Sequence, residues 1–474
     1  MQKVNRFYLG ILVLLILSCS DHNKEEKKIG SLPVYKDVPY LQDLSIKYNL
    51  KDTVPLTKVF VDRNKVIQVL SSKGILRTHN GEFLYPGLLT EDKTYLPITE
   101  KKISGLTLYQ DQFVYLDDKA VLSNAWAGNL YLKHDLPEAH IVAAGTDFEF
   151  MISDGKSLQF LSKERGPWKE SLGDDRVLDI RYFKPKNIFW ILGQHSISSF
   201  DIANNAFKTT RLEQEPTSFA LLGDKVMVGT ANGYLEINPE TGAALGEIHN
   251  KLPIPEITCM EAIDGNLWFG SAQGAFKLRE DGKFDYYYGK RWLPGNVVKH
   301  ISKGLDGSVL ILTDGGLGKI EFKKMTLFDK AQYYEQQVRN RHIRYGFNAT
   351  LVDLDNGNID SGRLSDSDND GLWTTMYLAG EVFRYAVTKS DDALQNCRES
   401  MDAMEKLYTI NGIPGFPSRS FDRSGYIEIL HDSKHWHQSS DPEWDWKGTT
   451  SSDEAIGHIF AFGVMADVMD NDLK

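Results

Sequence analysis

The chain has 474 residues, a formal net charge of −11 and three cysteines. This length allows two or three domains, and an acidic chain without a lysine and arginine cluster is a poor partner for nucleic acid, because phosphate contacts need basic residues. The cysteines show no CxxC spacing, which argues against a zinc site or a disulfide framework.

The first residues read as an export signal. Lys3 and Arg6 precede the apolar run FYLGILVLLIL, which is too short for a membrane-spanning helix of about 20 residues but suits a signal peptide. The sequence ILSC that follows resembles the lipobox of bacterial lipoproteins. The resemblance implies a signal peptide over residues 1–18, lipidation of Cys19, and the membrane as a partner through that lipid anchor.

Residues 19–44 are predicted to be a disordered tether, because the charged stretch SDHNKEEKK has little apolar surface to bury. Acidic residues directly after the cysteine resemble the surface-export signal of Bacteroidetes-type lipoproteins. This resemblance implies an outer-membrane lipoprotein of the bacterial cell envelope that is exposed on the cell surface.

A β-rich unit then recurs over residues 45–322. The units DKVMVGTANGYLEI, GNLWFGSAQGAFKL and GSVLILTDGGLGKI place Gly233, Gly274 and Gly316 at spacings of 41 and 42 residues. Each unit reads as two strands around a glycine-containing turn. Four earlier turns, near residues 74, 118, 155 and 195, continue the spacing. Short strands at a period of about 40 residues predict a seven-bladed β-propeller in preference to an open sandwich.

The segments LPGNVV and DGSVLILTDGGL, within residues 293–317, resemble the two-component-regulator propeller repeat. In that family, propellers occur as periplasmic ligand sensors and as extracellular domains beside other modules. The resemblance therefore implies a ligand-sensing scaffold, and it names no ligand.

Residues 323–474 change to a helical texture. Apolar spacing predicts helices over 326–346, 372–388 and 390–412, and a last helix opened by Ser452. Long loops precede the second and the last of these helices. Because short turns make successive helices antiparallel, both long loops are expected at the same end, each leading into the N-terminus of a buried helix. Long loops in compact domains are usually functional.

The segments NDGLWTTMYLAGEVFRYA, GIPGFPSRS and WKGTTSSDEAIGHIFAF resemble the (α/α) toroid of six-hairpin glycosidases. The fold class expected from the whole chain is therefore multi-domain, with an all-β propeller followed by an all-α toroid-like domain. A full toroid has about twelve helices and this stretch supplies about four, so we expect an incomplete toroid. Whether the chain is a glycoside hydrolase, a lyase or no enzyme stays open.

The acidic stretch SDSDNDG carries Asp366, Asp368 and Asp370 at alternate positions. Hard oxygen ligands at this spacing can bind Ca²⁺, which is the one cofactor that the sequence suggests. The bidentate glutamate of an EF-hand is missing, since Tyr377 occupies its position. A calcium site of another kind and an acidic cap of the following helix remain as alternatives.

Four residues are candidates for catalysis: Asp370, Asp453, Glu454 and His458. The toroid layout would place them at one end of neighbouring helices, where paired carboxylates can act as general acid and general base on a glycosidic bond. A histidine at this position also fits a core or capping role. The acidic residues equally fit helix caps.

Four tryptophans in the loops, Trp373, Trp436, Trp444 and Trp446, could offer flat faces to sugar rings or could simply be buried. The sequence thus predicts a protein that binds or processes extracellular glycans, with a polysaccharide as partner. The alternative is a non-enzymatic propeller that senses a ligand or contacts another protein.

Overall fold

A computed structural model describes residues 36–355 and 358–469. The predicted signal peptide, the lipidation site Cys19 and the tether up to residue 35 lie outside the described residues. The chain divides into a strand unit, Tyr40–Met325 with Asp353–Gly362, and a helical unit, Thr326–Val352 with the residues from Arg363 onward. Within the described part of the chain, no helix is long and apolar enough to cross a membrane.

The strand unit is a succession of antiparallel meanders. Their first strands are β2 (Leu56–Val61), β6 (Gly105–Tyr109), β10 (Ile141–Ala144), β14 (Val177–Phe183), β18 (Ser218–Leu222), β21 (Cys259–Ile263) and β25 (Val298–Lys303). The second strands are β3 (Ile67–Ser71), β7 (Gln112–Leu116), β11 (Phe150–Ser153), β15 (Ile188–Gly193), β19 (Lys225–Thr230), β22 (Asn266–Ser271) and β26 (Val309–Thr313).

The third strands are β4 (Gly74–His79), β8 (Ala120–Leu122), β12 (Ser157–Leu161), β16 (Ser196–Asp201), β20 (Gly233–Ile237), β23 (Gly274–Leu278) and β27 (Gly316–Met325). The fourth strands are β5 (Gly87–Glu91), β9 (Tyr131–Lys133), β13 (Trp168–Ser171), β17 (Ala206–Arg211), β24 (Phe284–Tyr287) and, in the last meander, β1 (Tyr40–Leu50). A short helix α1 (Leu96–Glu100) and the 3-10 turns Trp126–Gly128 and Lys184–Lys186 lie between strands. The meander of β18 to β20 has three strands.

The ends of the strand unit are joined by its first strand. β1 pairs antiparallel with β27, from Tyr40 opposite Met325 to Asn49 opposite Gly316. The first strands of successive meanders contact one another, and β25 contacts β2, so the series closes on itself as in a β-propeller. The start of this unit at Tyr40 corrects the expected boundary at residue 45. The five extra residues are ordered because they complete the last sheet, which would otherwise expose an unpaired edge.

Burial follows the position of a strand in its meander. Every residue of β3, β7, β11, β15 and β26 is buried, whereas β13 and β17 are largely exposed. Inner strands are covered on both faces by neighbouring sheets, so they read as continuous apolar runs. All seven turns predicted from the sequence join a second strand to a third strand.

The repeated glycine has a steric cause. Gly274 has a φ of +99° and Gly316 a φ of +138°, and a Cβ atom at Gly316 would lie 2.2 Å from the carbonyl oxygen of Tyr48. Only glycine fits such a position. The hydroxyl three residues earlier closes the turn, because Thr313 Oγ1 donates to the carbonyl of Gly316 at 2.9 Å.

The helical unit contains α2 (Leu327–Arg341), α3 (Asp370–Thr388), α4 (Asp391–Thr409) and α5 (Ser452–Val468). Its loops form small sheets: β28 (Ile343–Arg344) with β29 (Phe347–Asn348), β30 (Thr350–Val352) with β31 (Arg363–Ser365), and β32 (Ser420–Arg423), β34 (Trp444–Lys447) and β33 (Trp436–Gln438). Three 3-10 turns cover Ile359–Ser361, Ile427–Ile429 and Ser433–His435.

Helix α3 packs against both α4 and α5. Its buried face, with Leu378 and Val382, joins Cys397 and Met404 of α4 and Met465 of α5 in one apolar core. The four predicted helices are therefore present. The first ends at Arg341 instead of residue 346, because the chain turns there into the short strand β28.

Candidate functional site

The N-termini of α3 and α5 lie side by side, as the loop layout predicted. A Cβ atom on Gly371, the second residue of α3, would lie 2.3 Å from Glu454 Oε1 and 2.8 Å from His458 Nε2 of α5. The glycine therefore lets the backbone of α3 approach this pair closely. Asp370, Glu454 and His458 are all fully buried. Asp453 instead faces solvent, so the structure leaves it out of this cluster.

Asp370 is held by a set of donors. Its carboxylate accepts hydrogen bonds from Arg344 Nη2 at 2.6 Å and Ser420 Oγ at 2.6 Å, and also from the backbone and hydroxyl of Ser367. Arg344 also contacts Asp422 at 2.7 Å. Burial raises the pKa of Asp370, and the Arg344 charge opposes that rise. An aspartate bound in this way has no free oxygen facing solvent, which does not suit the predicted catalytic role.

Glu454 and His458 are electrically different from Asp370. Burial raises the pKa of Glu454 to about 8, against the opposing charge of Arg419, whose Nε lies 3.6 Å from Oε2. Burial also lowers the pKa of His458 to about 4. Both side chains are therefore neutral at pH 7. Glu454 Oε1 and His458 Nε2 are 4.0 Å apart, and neither atom has a hydrogen-bond partner of ordinary geometry among the described residues.

Tyr408 fixes the imidazole from its other side. Its hydroxyl lies 2.8 Å from His458 Nδ1, and the two rings meet edge to face with centroids 5.5 Å apart. Burial raises the pKa of Tyr408. The arrangement holds a protonated carboxyl next to a neutral imidazole, a pairing that can store and pass a proton if a polar molecule reaches it.

The three aspartates of the predicted calcium loop do not converge on one point. Asp370 turns toward Arg344, while Asp368 Oδ1 lies 2.8 Å and Asp366 Oδ2 3.6 Å from the buried ammonium of Lys447. Burial would raise the pKa of Asp368, but Lys447 and its other basic neighbours hold that pKa below its usual value. This geometry argues against the predicted calcium site, because Arg344 and Lys447 occupy the positions near these carboxylates that a calcium ion would need.

A different group comes closer to metal-binding geometry. Donor atoms of Asp368, His431 and Asp432 all lie within 4.8 Å of one another. Lys447 Nζ, however, is 3.3 Å from His431 Nδ1 and 2.8 Å from Asp368. An ammonium at this distance repels a metal cation, so these residues do not make a metal site while Lys447 is charged.

Two of the four predicted sugar-binding tryptophans are covered by other groups of the protein itself. Trp444 lies under Lys406 Nζ at 3.3 Å and under the guanidinium of Arg423 at 4.0 Å, measured to the ring centroid. Trp436 is buried, and its indole N–H donates to the carbonyl of His431.

The remaining two tryptophans are more accessible. Trp446 packs against His437, with ring centroids 4.7 Å apart. Trp373 on α3 is 43% exposed. Of the four predicted rings, Trp373 alone presents such a large open surface, so a stacking platform built from all four is not supported.

The strand unit contains a cavity of about 420 Å³ that sequence reasoning missed. On one side, Arg181 of β14 donates to Glu261 Oε2 of β21 at 2.8 Å and to Asp179 Oδ2 at 3.1 Å. Lys58 of β2 lies 3.8 Å from Asp179 Oδ1, and His300 of β25 completes this side. The lining also includes the polar residues Thr107, His140 and Tyr182 and the apolar residues Leu108, Ile141, Leu178 and Leu221.

These charged residues belong to strands that are far apart in sequence, which explains why pattern reading missed them. A single charge within a short inner strand, such as lysine in LTKVFV, looks like an ordinary solvent-facing position. The sequence did contain one indication of the site: LTKVFV, VLDIRYF and CMEAI are all first strands, and each carries a charged residue away from its ends.

Comparison with known proteins adds fold likeness alone. No family model and no curated protein matches this chain. Among solved structures, the extracellular domain of a one component system from B. thetaiotaomicron aligns with a TM-score of 0.45 and 14% identity, covering 58% of this chain and 39% of that chain. A streptogramin B lyase aligns with a TM-score of 0.46 and 14% identity, covering 60% of this chain and 98% of that chain.

A further alignment is with the extracellular domain of a hybrid two component system from B. thetaiotaomicron. Its TM-score is 0.45 at 10% identity, over 59% of this chain and 42% of that chain. The chain thus spans well under half the length of both B. thetaiotaomicron domains. Function has to be argued from the residues themselves.

Proposed function

We propose that this protein is a ligand-binding lipoprotein of the bacterial cell envelope. It consists of a seven-bladed β-propeller and a toroid-like helical domain, and it is anchored to the outer membrane through Cys19. The ligand is a small extracellular molecule that occupies the cavity beside the first strands of the propeller. The observation that carries this proposal is the cavity itself, which both charged and apolar residues line.

The size and lining of the cavity support binding. A volume of about 420 Å³ lies within the range of about 300–1,000 Å³ that is usual for small-molecule sites. Such sites are mostly apolar, with a few polar groups that fix the orientation of the ligand, whereas this cavity exposes more polar than apolar surface. Here Lys58, Arg181 and His300 supply polar groups from three different strands, so their spacing is held by the closed ring.

A cavity-filling variant tests the site. Thr107 lies on β6 and lines the cavity, so Thr107→Trp should fill it and abolish binding. Thr90 is an exposed residue of β5, and Thr90→Trp is the matched control. Binding of a mixture of small metabolites and oligosaccharides to the full chain can be followed by ligand-observed NMR. Ligands that bind Thr107→Trp as well as wild type would rule out the cavity.

The anchor is tested separately. Labelling of cells with a palmitate analogue should mark the wild-type protein and leave Cys19→Ala unlabelled, because the thiol is the acceptor of the lipid. Equal labelling of both proteins would refute lipidation at this cysteine.

A second candidate function is the binding or processing of glycans by the helical unit. Its support is the protonated carboxyl of Glu454, since a carboxylic acid that keeps its proton near pH 7 is what general-acid catalysis of glycoside cleavage requires. Asp370 is a weak choice for the second carboxylate because Arg344 and Ser420 occupy it. Reducing-end release from a polysaccharide panel by wild type, absent in Glu454→Gln, would support this candidate.

A further inference from the structure

We infer that the propeller cavity binds amphipathic molecules through a single carboxylate group, which Lys58 receives while the apolar part lies against the leucine and isoleucine residues of the lining. This inference rests on the proposed function of the cavity. It adds the chemical class of the ligand and the residue that selects it.

The charge of Arg181 is already paired within the protein. Its Nε and Nη1 atoms donate to Asp179 and Glu261, and its Nη2 atom donates to the carbonyl of Met260 at 2.8 Å. All three nitrogens thus have partners, and the guanidinium also lies over the ring of Phe219 at 5.3 Å. Arg181 therefore connects β14 to β21 and shapes the cavity, and the carboxylates of Asp179 and Glu261 together balance the charges of Arg181 and Lys58.

Lys58 is the cation with room for a ligand. Its nearest carboxylate oxygen, Asp179 Oδ1, is 3.8 Å away, which is beyond hydrogen-bond distance. Its side chain is 38% exposed, so a ligand can reach the ammonium. An ammonium has three donors, and a carboxylate bound directly to it forms charge-assisted hydrogen bonds that the loose contact with Asp179 does not supply.

His300 adds a neutral donor on the same side. The backbone N–H of Val59 donates to His300 Nδ1 at 3.3 Å, so Nδ1 carries no proton. Burial, reinforced by the charges of Lys58 and Arg181, lowers the pKa of His300 well below its usual value. The neutral ring therefore has its proton on Nε2. With Lys58, it offers hydrogen-bond donors that a ligand carboxylate can accept from.

The apolar residues of the lining fit an apolar body. Leu108, Ile141 and Leu221 line the cavity and are only partly covered by the protein, and Leu178 is 37% exposed. Covering such surface is favourable by about 25 cal/mol per Å² of apolar area. A ligand with a charge at one end and a hydrocarbon body at the other would contact both kinds of lining residue at once.

The test compares carboxylates with uncharged molecules of the same shape. Straight-chain monocarboxylates from butanoate to octanoate, and the primary amides of the same length, are titrated into the full chain by calorimetry. We expect the carboxylates to bind at least about tenfold more tightly than their amides, as hydrogen bonds to a charged group imply. Lys58→Met, which keeps the stem and removes the charge, should lose this preference, and Lys58→Arg should keep it.

Lys65→Met is the matched control, because Lys65 is 77% exposed and does not line the cavity. Equal binding of carboxylates and amides, an unchanged preference in Lys58→Met, or no carboxylate binding at all would overturn the inference. If other molecules still bind and Thr107→Trp still blocks them, the ligand class is wrong and the proposed function stands. If Thr107→Trp blocks no ligand, the proposed function fails as well.

Discussion

Replacement of Glu454 by glutamine should remove a pH dependence of stability that the wild-type protein carries. Glu454 has an ordinary pKa of 4.5 in an unfolded chain and a pKa of about 8 in the folded protein. Below pH 4.5 the folded and unfolded states both hold the proton, so the free energy of unfolding does not change with pH through this group. Between the two values the unfolded state releases its proton and the folded state keeps it, so the free energy of unfolding falls as the pH rises.

The size of the effect follows from one proton. The free energy of unfolding falls by about 1.4 kcal/mol for each pH unit between the two pKa values, so the full range is on the order of 5 kcal/mol. His458 acts in the opposite sense, because its pKa of about 4 lies below its usual 6.5 and stability falls as the pH drops through that interval. Of these two groups, Glu454 alone has a pKa interval that covers pH 6.5 to 8, and over this range its titration should lower the free energy of unfolding by about 2 kcal/mol.

Urea unfolding followed by ellipticity at 222 nm reports on the helical unit, since α2 to α5 hold nearly all of the described helix. Unfolding free energies of wild type and Glu454→Gln should converge near pH 4.5 and separate as the pH rises, with the variant more stable at pH 8. Glu405→Gln, at an exposed site on α4, should track wild type. Parallel curves for wild type and Glu454→Gln between pH 6.5 and 8 would refute the protonated state of Glu454.

Two further predictions concern the same cluster and are checked by urea unfolding. Gly371→Ala should destabilise the helical unit by about 1–3 kcal/mol, because the new methyl group would clash with Glu454. Gly380→Ala is the control on the same helix: this position has open space around it, so the substitution should stabilise the unit by about 0.5–1 kcal/mol. Equal effects of the two substitutions would show that α3 does not approach Glu454 closely. Arg344→Met should cost about 3–5 kcal/mol, because Asp370 would keep its neutral donors Ser420 and Ser367 but lose its cationic partner in a buried site. A loss below about 1 kcal/mol would contradict the ion pair.

Much of the fold could be read from local sequence patterns, because those patterns report local geometry. Gly274 and Gly316 mark turns whose backbone only glycine tolerates, and the hydroxyl of Thr313 three residues earlier closes its turn. Helical spacing located all four helices, and Ser390 caps α4 by accepting from the backbone of Ala393. Loop lengths were enough to place the N-termini of α3 and α5 together.

The candidate sites depended on pairs that no local pattern contains. Asp370 is bound by Arg344, Asp368 by Lys447 and Arg181 by Glu261, from segments far apart in the chain. A carboxylate in an acidic loop reads the same in sequence whether a calcium ion or a buried ammonium neutralises it. Its role is decided only when the fold brings a partner within about 3–4 Å.

The sequence by itself therefore determined which segments form strands, turns and helices, since those choices depend on backbone sterics and on residues a few positions apart. The tertiary structure alone decided that β1 completes the last sheet with β27, that Glu454 keeps its proton, and that Lys58 faces a cavity. Burial and charge pairing set all three, and both are properties of residues that meet only in the folded chain.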